Sequence, residues 1–137
     1  MTAWLRAWRG RATLGRVDDV EAQLTRVLGA WAAGSLVLGS ALSVPRSTRG
    51  FGRQTAAWGL VDGAIAGVGA RRRASGHTTE PARLRTVLLV NAGLDVGYLA
   101  GGAWLLRSSR WRGDALAVLV QGAFLLWLDV STAGRLR

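Results

Sequence analysis

The chain has 137 residues, half of them hydrophobic, with 18 basic and 8 acidic side chains and a formal charge of +10. Every basic residue is Arg; there is no Cys and one His. These facts exclude a disulfide framework, a zinc ribbon and a thiol nucleophile, and they argue against a His-rich metal site or a His-based triad. Long apolar runs exclude a disordered basic tail. The charge alone would suit a phosphate binder. Its distribution does not, because the Arg residues cluster between apolar stretches instead of covering an amphipathic face, so no nucleic-acid partner is expected.

Residues 1–26 form a basic amphipathic segment that does not read as a signal peptide. Trp4, Leu5 and Trp8, interleaved with Arg6, Arg9 and Arg11, suit a membrane interface, with aromatics at the headgroups and Arg meeting anionic lipid. A frayed basic tail is the alternative. Asp18, Asp19 and Glu21 then open a helical lead-in, where acids favour a helix N-terminus.

Four apolar stretches follow within a domain of residues 27–132: about 27–44, 54–70, 87–106 and 115–132. Each has about 17–20 residues, the length a helix needs to cross a ~30 Å hydrocarbon core. None shows the polar face at every turn that a water-facing helix carries. Short links at 45–53, 71–86 and 107–114, with Pro45 ending the first helix and Pro81 in the middle link, imply antiparallel neighbours. The expected fold is therefore all-α, a four-helix transmembrane bundle running up-down-up-down. Residues 133–137 are a basic C-terminal tail.

Arginine asymmetry orients it. Arg6, Arg9, Arg11, Arg16, Arg26, Arg71, Arg72, Arg73, Arg83, Arg85, Arg135 and Arg137 fall on one side, and Arg46, Arg49, Arg53, Arg107, Arg110 and Arg112 on the other. The positive-inside rule places both termini of a multi-pass membrane protein in the cytoplasm. The Arg71–Arg73 run sets topology and can also hold anionic lipid headgroups.

The second span carries Gly59, Gly63 and Gly67, and the third Gly93, Gly97 and Gly101. Each is a tandem G-x-x-x-G that puts three glycines on one face. Lipid offers no hydrophobic drive between helices, so such faces favour close backbone packing. Spans two and three are expected to pack through them, with each other or in an oligomer. An offset of 63 residues aligns the two hairpins without a gap, matching Gly39 to Gly102, Gly59 to Gly122 and Arg49-Gly50 to Arg112-Gly113. A duplicated hairpin gives this pattern, as in parallel-repeat membrane proteins. So does coincidence in a chain rich in Gly, Leu and Arg.

The polar residues inside the spans carry the chemistry. Asp62 lies mid-way along span two and Asp95 along span three, with Asn91, Tyr98 and Gly102 on the Asp95 stripe, opposite the glycine face. Two specialised faces predict a central position for span three. Span four adds Gln121 and, nearer its cytoplasmic end, Asp129, within reach of Arg135. A carboxylate at bilayer depth costs ~2.5–3.5 kcal/mol, so it should face the interior or water. If Asp62 and Asp95 face each other they can share a proton, which suits a proton relay or cation site. Alternatively, the polar residues are interhelical hydrogen-bond clamps. No nucleophile has a base beside it, His77 sits in a polar link, and the glycines form no phosphate loop. No enzyme activity, metal or cofactor is expected.

Three segments carry a family pattern: Phe51-Gly52 with Trp58-Gly59, then Asn91-Ala92-Gly93-Leu94-Asp95-Val96-Gly97-Tyr98, then Gln121-Gly122-Ala123-Phe124-Leu125-Leu126 followed by Asp129. Over residues 25–134 the chain resembles a family of small, uncharacterised four-span bacterial membrane proteins. The resemblance implies architecture and no mechanism. The reading adopted at this point is a non-catalytic inner-membrane protein, assembled as a homo-oligomer or with a membrane-protein partner. Its alternative is an oligomeric proton or small-cation transporter or channel using Asp62 and Asp95, since four spans are few for a lone carrier.

Overall fold

The computed structural model describes the backbone of residues 2–136 and the side-chain surroundings of residues 15–136. The interfacial reading of Trp4, Leu5 and Trp8 and their arginines lies outside the described side chains. Four long helices account for nearly all of the chain: α1 (Thr2–Leu42), α2 (Arg49–Ala74), α3 (Pro81–Leu105) and α4 (Arg112–Gly134), with a 3₁₀ turn at Ser109–Trp111 before α4. The helices run further than the apolar stretches because their ends continue into polar sequence. Helix α1 passes residue 26 without a break, so the basic segment and the first apolar stretch are one helix. Pro81 is not in a link. It opens α3, where its missing N–H costs nothing. The arginines of the 71–73 run likewise sit in the last turn of α2, where cations favour the helix dipole.

Among the described residues, three helical stretches are long and apolar enough to cross a membrane: Gly15–Leu42, Pro81–Leu105 and Ser109–Gly134. Helix α2 is not, which corrects the expectation of four equivalent spans. Its central stretch is dominated by Gly and Ala, which add little apolar surface. It also contains Gln54, Thr55 and Asp62, and arginines bound it at both ends.

Helix α1 packs along α2, α3 along α4, and α2 beside α4. Helices α2 and α4 are thus the middle pair and α3 is an outer helix, contrary to the central place expected for it. The α1–α2 turn is held by side chains that cap the end of α1. Thr48 Oγ1 donates to Leu42 O at 2.8 Å, and the Arg49 guanidinium donates to the carbonyls of Ser43 and Val44 at 3.3 and 3.4 Å.

Glycine decides how closely these helices approach, but mostly at other positions than the tandem motifs suggest. A Cβ on Gly59 would lie 2.7 Å from Leu36 N and 2.9 Å from Ala32 O, so α1 and α2 meet backbone to backbone there. Gly39 and Gly52 make a second such crossing, with a Cβ on Gly39 only 2.8 Å from Gly52 O. Gly102 meets Ala115 and Leu119, and Gly122 meets Asp95 and Leu99. Gly63 has only ordinary contact with Ala32, and Gly67, Gly93, Gly97 and Gly101 have no neighbour within 4 Å of a built Cβ. The two tandem motifs therefore do not pack spans two and three together, because α3 turns its glycines away from α2 and α4.

The repeat has a structural counterpart. Gly39 against Gly52 and Ala56 becomes, 63 residues on, Gly102 against Ala115 and Leu119. Gly59 against Ala32 and Leu36 becomes Gly122 against Asp95 and Leu99. The equivalent pair Gly50 and Gly113 touch each other where α2 and α4 begin. The two hairpins are related by an approximate two-fold passing between α2 and α4.

Candidate polar site between the helices

Asp62 occupies the stripe of α2 that also buries Gly52, Gly59 and Ala66. Small residues on both sides let α1 and α4 close over it, and its side chain is 1% exposed. Gln121 of α4 donates its amide N–H to Asp62 Oδ2. The amide oxygen of Gln121 accepts a hydrogen bond from Trp31 Nε1 of α1 at 2.8 Å. A single relay thereby ties α1, α4 and α2, and both ends of the Gln121 amide are used. The Trp31 ring lies flat on Phe124, one turn beyond Gln121, with centroids 3.8 Å apart and planes 9° from parallel. That stack holds the indole N–H in line with the amide.

Asp95 of α3 and Asp129 of α4 make the second part of the site. Both are buried, on the closely packed pair of helices α3 and α4. Asp95 Oδ2 is buried without a hydrogen bond from another residue. Asp62 of α2, Asp95 of α3 and Asp129 of α4 are thus each buried between helices.

Other expected members stand elsewhere. Asn91 is exposed. Tyr98 is 42% exposed, and its ring meets Trp58 of α2 edge-on with centroids 5.3 Å apart. At 100° per residue, these two side chains sit about 40° and 60° to one side of Asp95 on α3, while the α4 interface extends to the other side. Buried Leu84, Leu88, Ala92, Asp95 and Gly102 define that interface instead. Asp129 does not meet Arg135, whose guanidinium donates to Gln23 Oε1 at 2.7 Å. Asp129 points inward because its turn of α4 packs on α3. Arg71, Arg72 and Arg73 are exposed at the end of α2. Trp31 also belongs to the site, and no sequence motif marks it; Phe124 falls in the family segment from Gln121 to Asp129 but carries no polar group that would place it in the site.

Among the described residues, no group of three or more His, Cys, Asp or Glu side chains is placed to hold a metal ion. The arrangement can do two things chemically. It can lock helices through satisfied polar contacts, and it can hold a proton between carboxyl groups.

The sequence profile of a family of unknown function, DUF6992, matches residues 27–130. The chain belongs to this family. The match covers most of the chain and agrees with the sequence resemblance at the level of a family without an assigned activity. It takes in Trp31, Asp62, Asp95, Gln121, Phe124 and Asp129, so the whole polar site lies within the DUF6992 region. No curated protein and no solved structure matches the chain.

Proposed function

We propose that this DUF6992 member is a small, non-catalytic integral protein of a bacterial inner membrane, and that its buried polar cluster locks its helices in register. The observation that carries this reading is the Trp31–Gln121–Asp62 relay, which spends both ends of one amide on joining three helices. Both the carbonyl oxygen and an N–H of the central amide are engaged by residues of neighbouring helices, which supports a locking role. Helix α2 crosses with the others despite its low apolarity, because it lies along α1 and beside α4. The result is a four-span up-down-up-down bundle with both termini cytoplasmic, where arginine is most abundant. The open Gly93, Gly97 and Gly101 face of α3 offers close approach to another transmembrane helix, which we assign to a second copy of the chain. Arg71, Arg72 and Arg73 stand at the cytoplasmic headgroups.

One observation favours a second reading, an oligomeric proton or cation pathway. Asp62, Asp95 and Asp129 are three buried carboxyl groups on three helices, and Asp95 keeps an oxygen without a donor from another residue. Flux in proteoliposomes separates the two readings. Proton and monovalent-cation flux is measured for the parent, Asp62→Asn and Asp95→Asn, matched for incorporation and helicity. The locking reading expects parent flux no greater than in empty vesicles. Flux that either substitution abolishes would overturn it in favour of the pathway.

A further inference from the structure

Helices α2 and α3 are joined by a short link, yet each packs on a different partner, and they diverge. The gap opens as a cleft of about 510 Å³ between α1, the last turns of α2 and the first turns of α3. Its walls are apolar, with Leu24 and Leu28 from α1, Ile65 and Ala66 from α2, and Leu84 and Val87 from α3. Gly69, without a side chain, widens it beside Thr25. Arg72, Arg73 and Arg83 also line it, with His77, Thr78 and Thr79 of the link at the helix ends. Apolar walls that end in guanidinium groups complement an amphiphile with an anionic head.

We propose that this cleft binds one anionic phospholipid of the surrounding bilayer, with its phosphate at Arg72, Arg73 and Arg83 and an acyl chain along Leu28, Ile65 and Val87. Ile65 and Val87 are about half exposed, at 56% and 48%. An acyl chain would cover them without any change in helix packing. Guanidinium groups suit phosphate because their planar fork donates two parallel hydrogen bonds. Arg71 does not line the cleft, so one residue of the Arg71–Arg73 run stands outside the site and Arg83 of α3 takes its place. Glu21 and Glu80 line the cleft too, leaving an excess of one positive charge. The preference for an anionic over a zwitterionic head is therefore modest, about three- to tenfold.

The inference rests on the membrane reading, and the test keeps the two apart. Alkaline carbonate extraction of native membranes comes first; release of the chain into the supernatant would sink the membrane reading itself. Full-length protein in non-ionic detergent is then titrated with phosphatidylglycerol, phosphatidylcholine and glycerol phosphate. The expected order is phosphatidylglycerol tightest, phosphatidylcholine weaker, and glycerol phosphate without measurable binding. Replacing Arg72, Arg73 and Arg83 together by Gln should weaken phosphatidylglycerol at least tenfold. A control replacing Arg46, Arg71 and Arg107 by Gln removes the same charge away from the cleft and should change binding less than twofold. Gly69→Leu, which places a side chain in the cleft, should weaken binding while the arginines remain. Equal losses in the two triple variants would overturn the site in favour of diffuse surface charge. Unchanged binding in Gly69→Leu, or glycerol phosphate binding as tightly as the lipid, would overturn the acyl half.

Discussion

Replacing Gly59 by Ala is the sharpest test of how the helices are held. The added Cβ would lie 2.7 Å from Leu36 N, 2.9 Å from Ala32 O and 3.1 Å from Leu36 Cα. All three are backbone atoms, so no side chain can rotate aside. Restoring ordinary contact moves α1 from α2 by about 0.7 Å, an overpacking strain of the kind that costs about 1–3 kcal/mol. Alanine returns up to about 1 kcal/mol through helix propensity. With the full propensity gain the net loss is about 0–2 kcal/mol, so Gly59→Ala is best judged against a glycine where the propensity gain acts alone. At Gly97 the same substitution meets nothing within 4 Å, so only the propensity gain remains and Tm should hold or rise slightly. Thermal unfolding by circular dichroism, at a detergent concentration that keeps the chain monomeric, compares the two. A fall for Gly97→Ala as large as for Gly59→Ala would refute the assignment of glycines to the helix contacts. A Tm for Gly59→Ala above that of Gly97→Ala would refute the backbone crossing itself.

Two further predictions probe the polar site. Gln121→Leu removes the middle of the relay and leaves both the Asp62 carboxyl and the Trp31 N–H buried without that partner. Orphaned groups of this kind cost about 1–3 kcal/mol each. Trp31→Phe, which keeps a ring against Phe124 and loses only one donor, should cost nearer the ~0.6 kcal/mol typical of an interhelical hydrogen bond. Thermal unfolding should rank the two in that order, and a larger loss for Trp31→Phe would break the argument. On α3, Asn91→Leu should leave stability unchanged or raised, because Asn91 faces outward. Asp95→Leu, which strips Asp129 of its neighbour, should lower stability, and Asp95→Asn should recover most of the loss. Equal effects at Asn91 and Asp95 would return Asn91 to the polar core.

The helical segmentation was legible because run length and short polar links determine it. The two mid-span acids were legible for a related reason: a carboxylate in an apolar run must turn inward, and Asp62 and Asp95 do, while Asp129, expected near Arg135 at the helix end, is buried too. Which glycines make contacts was not legible. A tandem G-x-x-x-G reports that one face is small, without saying what lies against it. The regular Gly93–Gly97–Gly101 face turned outward, while the widely spaced Gly39, Gly52 and Gly59 carry the α1–α2 crossing. The same limit applies to Trp31. Its role depends on the rotation of α1 against α4, and two helices far apart in sequence do not reveal their relative rotation through composition. Asn91 shows the opposite error, since helical spacing from Asp95 is compatible with a flank as well as with the interface.

The approximate two-fold and the polar site obey different rules, and the difference bears on what the site is for. The close crossings are kept in both hairpins, so the backbone packing is repeated. The polar residues are not. In the same alignment, Asp62 corresponds to Leu125, Gln121 to Trp58, Asp95 to Ala32 and Asp129 to Ala66. The relay therefore draws its acceptor from the first hairpin and its amide from the second. Two copies of the second hairpin packed about that axis would set Gln121 against Leu125, which has nothing to offer it. Burying an unpaired amide costs more than forming its hydrogen bond gains, so the penalty falls on the wrong pairing. Lipid cannot supply that discrimination, because apolar helix faces are nearly equivalent to it. A single asymmetric polar relay beside the axis therefore disfavours pairing of the second hairpin with another copy of itself. That is the physical case for reading Asp62 and Gln121 as a lock before reading them as a pathway.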